Sequence, residues 1–315
     1  MAHTILLALA PIFFVMALGY GAGRLHLVEN HHVDGLNALV MNFALPASLF
    51  AATASAPRDE MLAQGPLFAI SSAVMLAVFF AWYYTQVLAS GTSKADASLQ
   101  ALTIAFPNLA GVGLPILADV LGPAGTVPLA IVLAAGSIVI SPLSLILVEL
   151  SLQKKETGAA SKGRILSALG HALTKPVVLA PTLGILFSLC ELKTGRVADA
   201  CLTLIGQAAP GVALFLTGLV LSAQAFRLDG KVVAATVAGN IVRPLLTAAI
   251  VFVLPVSAET AKVAILLAAV PSGFFGILFA VNYRLDSAAA GSMVIASTVL
   301  SIVTMAIAIV VLFPH

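Results

Sequence analysis

The chain has very little charge. Only 9% of its 315 residues are Asp, Glu, Lys or Arg, and 61% are hydrophobic, with a mean hydropathy of +1.11. A typical soluble domain carries roughly 25% charged residues. The charges here can therefore cover only loops and helix ends, which excludes a solvated surface and leaves lipid as the main solvent. The net charge of +2 is too small to indicate a nucleic-acid partner.

Cysteines and catalytic motifs are also scarce. The two cysteines, Cys190 and Cys201, flank one short predicted loop; they could pair in an oxidising compartment, although unpaired thiols are favoured. No spacing of His, Cys, Asp or Glu is typical of a metal site. There is no His-Glu-x-x-His, nucleophile elbow or Walker loop. We therefore predict neither an enzyme nor a bound cofactor, and we assign no metal ligands.

Long apolar runs are what the chain does contain. They are continuous rather than alternating, which argues against a β-barrel wall and leaves helices as the spanning elements. A hydrocarbon core about 30 Å thick needs about 20 helical residues. The runs predict an all-α membrane protein with ten segments, at residues 4–23, 35–55, 61–90, 95–120, 123–150, 175–190, 197–223, 231–254, 258–283 and 287–313.

A predicted cytoplasmic linker at residues 153–174, polar up to Arg164 and followed by an amphipathic helix entry, divides the chain into two units of five segments, 1–152 and 175–315. Basic loops stay on the cytoplasmic side of a membrane, and placing the N-terminus outside puts nine basic loop residues inside against four outside. The inner set is Arg24, Lys94, Lys154, Lys155, Lys162, Arg164, Arg227, Lys231 and Arg284; the outer set is Arg58, Lys193, Arg196 and Lys262. We therefore expect an inner-membrane protein with both termini outside.

Three proline pairs indicate an internal repeat. Pro46 and Pro210 differ by 164 positions, as do two prolines in the fourth and ninth segments, and Pro11 and Pro176 differ by 165. A five-helix unit that repeats after an odd number of crossings must be inverted in the membrane. The spacing therefore predicts two inverted five-helix repeats, an arrangement typical of carriers.

The fourth and ninth segments combine proline, a polar residue and glycine near their middle. These residues are Pro107, Asn108, Gly111, Gly113 and Pro115 in the fourth segment, and Pro271, Ser272 and Gly273 in the ninth. Proline removes a helical donor and glycine tolerates a break, so we predict two broken helices that cross. Half-helix N-termini would then converge as an anion site, with Asn108 facing Ser272. The alternative is that the prolines only kink packed helices.

Three further polar side chains lie deep in predicted segments. Arg243 is halfway along the eighth segment, with Asn240 three residues earlier on the same face, and Asn42 precedes the proline of the second. A mid-membrane arginine costs at least about 2.5–3.5 kcal/mol, so something must compensate it. A bound carboxylate could do so through a bidentate fork; helix C-terminal carbonyls are the structural alternative. Asn42 either lines the cavity or caps a kink.

Acidic residues at membrane depth are missing. Five acidic residues fall inside the predicted segments, and all of them lie near segment ends: Asp96, Asp119, Glu149, Asp199 and Glu259. A proton relay usually needs a carboxylate or histidine at depth, so the obvious one is absent. Sodium could instead bind oxygens exposed by broken helices near the crossover. The coupling ion, sodium or proton, stays open.

Three stretches together resemble the auxin efflux carrier family, and within it the bacterial malonate carriers. They are residues 42–50, the element from Pro107 to Pro115, and residues 273–276. The similarity covers essentially the whole chain in order and spacing. It implies a fold shared with bile acid sodium symporters, in which helices 1, 2, 6 and 7 form a scaffold. Helices 3–5 and 8–10 then form a transport domain with crossed helices 4 and 9.

The resemblance also implies a function. It suggests a secondary active transporter for a small organic anion, such as malonate or a similar mono- or dicarboxylate, with elevator-like alternating access and dimerisation through the scaffold. Substrate carboxylates in such proteins lie at the crossover, which corresponds here to Asn108, Gly111, Ser272 and Gly273. A passive anion channel and a membrane-embedded ligand sensor or scaffold are the alternatives.

Overall fold

The computed structural model describes residues 2–29, 33–157, 170, 174–223 and 226–313, and within them it contains helices and no strands. We number the main helices α1 to α12. They are α1 Ala2–Arg24, α2 Val33–Ala54, α3 Gly65–Ala89, α4 Lys94–Ala105, α5 Leu114–Leu121, α6 Val127–Leu152, α7 Pro176–Leu189, α8 Arg196–Val220, α9 Gly230–Val253, α10 Ala258–Ala269, α11 Phe275–Asn282 and α12 Ala288–Leu312.

Six of the described helices are long and apolar enough to cross a membrane, namely α2, α3, α6, α8, α9 and α12. Their bounds agree with the predicted segments to within a few residues; the run predicted at 35–55, for example, is helical over Val33–Ala54. The helix that contains α6 continues to Thr157, so the first five residues of the predicted linker, 153–174, are helical; the division into two units stays a prediction. Residues 158–169 and 171–173 of that linker lie outside the described residues.

Prolines set the local geometry of four helices. Each contains a five-residue π-helical segment that ends two residues before a proline: Val40–Ala44 before Pro46, Leu109–Gly113 before Pro115, Gly136–Ile140 before Pro142, and Ala238–Val242 before Pro244. In a regular α-helix a proline ring clashes with the carbonyl four residues earlier. The wider π turn relieves that clash, and the N–H just before the proline bonds five residues back, as from Arg243 to Ala238.

The helices pack in two groups. In the first, α1 packs along the second half of α8, and the second half of α2 packs against α7 and the first half of α8. In the second, α3, α4 and α6 pack on one another, α9 packs against α10 and α12, and α11 packs against α4. Most of the largest fully buried side chains, including Phe106, Phe274 and Arg243, belong to the second group. That group therefore holds the polar and aromatic centre of the molecule.

Two helices are broken at this centre. The first consists of α4 and α5, which are separated by an extended residue, Phe106, and the π segment. The second consists of α10 and α11, which are separated by residues 270–274. An isolated antiparallel β-bridge between Pro107 and Ser272 joins the two breaks. We refer to the residues around this bridge, 103–109 and 268–276, as the crossover.

Candidate functional site

The crossover is held together by backbone hydrogen bonds. The N–H of Asn108 donates to the carbonyl oxygen of Pro271 at 2.8 Å. The N–H of Gly273 lies 3.0 Å from the carbonyl oxygen of Thr103 and 2.9 Å from that of Phe106. The prolines interrupt the hydrogen bonds within each helix, so these backbone N–H groups bond to carbonyl oxygens of the other broken helix instead. The two predicted proline elements meet directly.

Close packing at the crossover depends on glycine. A Cβ atom at Gly273 would overlap the carbonyl oxygen of Phe106, and one at Gly276 would overlap the Thr103 side chain and the Leu99 carbonyl oxygen. The rings of Phe106 and Phe275 stack with centroids 4.4 Å apart. Only a residue without a side chain lets the two backbones approach this closely.

Arg243 lies at the end of the π segment in α9 and is only 1% exposed. Its Nε donates to the carbonyl oxygen of Ala268 at 2.8 Å, and its two Nη atoms donate to the carbonyl oxygens of Ile104 and Val270. These carbonyls belong to the C-terminal ends of α4 and α10. The contacts are those of the structural alternative; the predicted role of Arg243 in binding a carboxylate stays a prediction.

Asn240 connects α9 to the crossover through α12. Its Nδ2 donates to the carbonyl oxygen of Ser297 at 2.8 Å, and its Oδ1 accepts a hydrogen bond from the Ser297 hydroxyl. The same hydroxyl oxygen accepts the N–H of Ser272 at 2.8 Å. Ser297 therefore links α9 and α12 to the break between α10 and α11. Sequence reasoning missed it, although a run of Ser297, Thr298 and Ser301 inside an apolar helix was a detectable signal.

Several polar groups at the second break lack partners among the described residues. The Ser272 hydroxyl is buried without a hydrogen-bond partner. The N–H groups of Phe274, Phe275 and Gly276 have no backbone acceptor within the described part of the chain. These three groups form the N-terminus of α11, where the helix dipole is positive. The arrangement has the chemistry of an anion site.

The other predicted site residues are spread more widely. Gly111 and Gly113 lie in the π segment that leads into α5, and Pro115 lies in the first turn of α5. Asn42 is exposed and lines a separate small cavity with Lys175 and Asn282. The structure thus brings most of the predicted site residues together at the crossover, as their contacts show: Pro107, Asn108, Asn240, Arg243, Pro271, Ser272 and Gly273. It does not bring Asn42 there.

Nearly the whole chain matches a family of known proteins. A family profile described as "Membrane transport protein" matches residues 4–309. The chain belongs to this family. It is the auxin efflux carrier family that the three sequence stretches resemble, and the chain is accordingly a multi-pass membrane protein of a transporter family.

Relatives of this membrane transport protein come from bacteria and archaea. The chain is 30% identical over 277 residues to the "Uncharacterized transporter YfdV" of Escherichia coli (strain K12), which covers 88% of this chain and 87% of the relative. It is 26% identical over 310 residues to an "Uncharacterized transporter" of Methanothermobacter thermautotrophicus, covering 96% of each chain.

Proposed function

We propose that this family member is a secondary active transporter that moves a small organic anion, such as malonate or a similar mono- or dicarboxylate, across the inner membrane. The observation that carries the proposal is the N-terminus of α11, where N–H groups at residues 274–276 and the Ser272 hydroxyl have no partner among the described residues. A carboxylate would satisfy these donors. Asn108 lies on the opposite break and would donate to the same anion.

Local charge supports an anion rather than a cation as the substrate. Arg243 is a positively charged side chain that contacts the crossover, where it covers carbonyl oxygens of Ile104, Ala268 and Val270 that would otherwise repel a carboxylate. Among the described residues, none of those at the crossover is acidic. The positive end of α11 is therefore not offset by a nearby negative group.

Burial supports a carrier that alternates between states. Asn108 is 3% exposed and Ser272 is 1% exposed, so a substrate reaches them only when packed helices separate. We propose elevator-like movement of α3–α6 and α9–α12, the helices around the crossover, against a scaffold of α1, α2, α7 and α8. The two packing groups support this division, and dimerisation through the scaffold is part of the proposal.

Topology belongs to the same proposal. We propose ten crossings in two inverted repeats, with each broken helix counted as one crossing. The breaks of the fourth and ninth predicted segments, which lie at matching offsets, support this proposal. Nine basic residues in predicted inner loops against four in outer loops support both termini outside.

The test is a thermal-shift screen of purified protein against carboxylates of two to six carbons, followed by counterflow in proteoliposomes. A ligand that raises the melting temperature further as its concentration rises identifies the substrate class. Saturable counterflow of that ligand supports the carrier. Single-channel currents would support a channel instead, and binding without flux would support a sensor.

A matched pair of serine variants tests the site. Ser272→Ala removes the buried hydroxyl at the crossover and should weaken binding of the ligand from the screen. Ser188 lies near the end of α7, outside the crossover, and its buried hydroxyl donates to the carbonyl oxygen of Ala56. Ser188→Ala removes this hydroxyl. The Ser188 variant should lose some stability and keep its affinity. Equal affinities of both variants and the parent would refute the proposed place of binding.

A further inference from the structure

Arg243 has an environment made of carbonyl oxygens. It is among the largest fully buried side chains, and its Nε and both Nη atoms donate to backbone carbonyls of α4 and α10. Among the described residues no carboxylate pairs with it. A buried charge is normally paired with an opposite charge, so the compensation must come from the backbone.

The three carbonyls are ones that the helix breaks leave without helical partners. In a continuous helix, Ile104 would accept the N–H of Asn108, but that N–H bonds to Pro271. Ala268 would accept the N–H of Ser272, but that N–H bonds to the Ser297 hydroxyl. The last carbonyls of a helix carry the negative end of its dipole. Two such ends therefore meet at one guanidinium.

The charges balance to a good approximation. Each helix C-terminus is equivalent to roughly half a negative elementary charge, so the ends of α4 and α10 together amount to about one. A single positive charge neutralises them. A bound sodium ion, which takes carbonyl oxygens exposed by broken helices, would have the same charge and need the same oxygens. The cavity beside Arg243 has a volume of only about 10 Å³, which leaves no room for a second, hydrated cation.

We propose that Arg243 is a built-in cation at the crossover that takes the place of an exchangeable coupling ion such as sodium. The guanidinium joins both broken helices into one unit and keeps the N-terminus of α11 available to an anion. The folded protein then has no sodium requirement. The built-in cation predicts two results. One is that uptake does not need sodium, and this prediction rests on the proposed transport function. The other is that folding stability does not depend on sodium, and this prediction does not rest on it.

The first experiment compares melting temperatures of the purified protein in sodium, potassium and choline chloride at equal ionic strength. The parent should melt at the same temperature in all three salts. Arg243→Ala leaves the carbonyls and opens space, so its melting temperature should fall and should rise again, saturably, with sodium or with millimolar guanidinium. Arg243→Lys keeps the charge and should remain independent of sodium. Arg227→Ala removes an exposed arginine and is the matched control.

Each outcome is decisive. A sodium-specific stabilisation of the parent would overturn the proposal, and that measurement does not depend on whether any variant folds. A folded Arg243→Ala protein that responds to sodium and guanidinium no more than Arg227→Ala would also overturn it. The second experiment measures counterflow of the parent in sodium and in choline, and equal rates are expected. Counterflow that requires sodium refutes the built-in cation and leaves the transport proposal standing. The expected melting behaviour without any counterflow refutes the transport proposal and leaves the built-in cation standing.

Discussion

The backbone N–H of Asn108 donates a 2.8 Å hydrogen bond to the carbonyl oxygen of Pro271, and this bond ties the break of one helix to the break of another. The same pair of breaks shares the β-bridge between Pro107 and Ser272. Neither proline can donate a backbone hydrogen bond, so each break leaves unpaired groups on its own helix. Where the helices cross, many of these groups bond to each other. The backbone N–H groups at the start of α11 remain available to a ligand.

Gly273→Ala should destabilise the crossover. The new Cβ would overlap the carbonyl oxygen of Phe106, which is backbone and cannot rotate away. Overpacking of this kind costs about 1–3 kcal/mol. Thermal unfolding of the purified variant measures the loss.

Gly211→Ala is the control for Gly273→Ala, because a Cβ there meets nothing within 4 Å. Alanine is the better helix former by up to about 1 kcal/mol, so this variant should match or exceed the stability of the parent. Equal melting temperatures for the two variants would contradict the close approach at Gly273.

Ser297→Ala should lower stability by about 1–3 kcal/mol, since it leaves buried polar groups of Asn240 and Ser272 without a partner. Thr304→Val removes a hydroxyl from the same helix at a partly exposed position, where the bond to Leu300 is long, 3.5 Å. That control should stay within about 0.5 kcal/mol of the parent. Chemical denaturation of both variants decides; a loss no larger than the control's would remove Ser297 from the network.

Asn108→Ala should weaken carboxylate binding by about 1–3 kcal/mol, the value of a buried hydrogen bond to a charged group. Titration calorimetry with the ligand from the screen gives the affinity. Asn37→Ala is the matched control, because Asn37 is also buried and donates to the carbonyl oxygen of Leu278. It should cost stability and leave affinity unchanged. An unaltered affinity in folded Asn108→Ala would make Asn108 only a helix cap.

Cysteine labelling should place residue 155 inside and residue 193 outside, as the distribution of basic residues predicts. Both native cysteines, Cys190 and Cys201, are unpaired and exposed, so they must first be replaced by serine. Probes at Lys155 and Lys193 are then read with a membrane-impermeant maleimide in intact cells. The reverse pattern would refute the orientation, and labelling of both from outside would refute the odd number of crossings between them.

Sequence patterns located the breaks in the two crossing helices but not the π segments. The combination of proline, a polar residue and glycine marked the breaks at Pro107 and Pro271. The π segments before Pro46, Pro142 and Pro244 were not predicted. A proline can kink, break or widen a helix, and which of these occurs depends on how neighbouring helices satisfy the displaced carbonyls.

By itself, the sequence determined that lipid is the solvent, where the long helices run, and which family the chain belongs to, because hydropathy and proline placement act locally along the chain. The tertiary structure alone decided what surrounds Arg243 and where Asn42 lies. The carbonyl partners of Arg243 are 25, 27 and 139 positions away. A guanidinium bonds to the acceptors that the packed helices place around it. Every residue carries a backbone carbonyl, so the residue types in the sequence do not show which carbonyls these are.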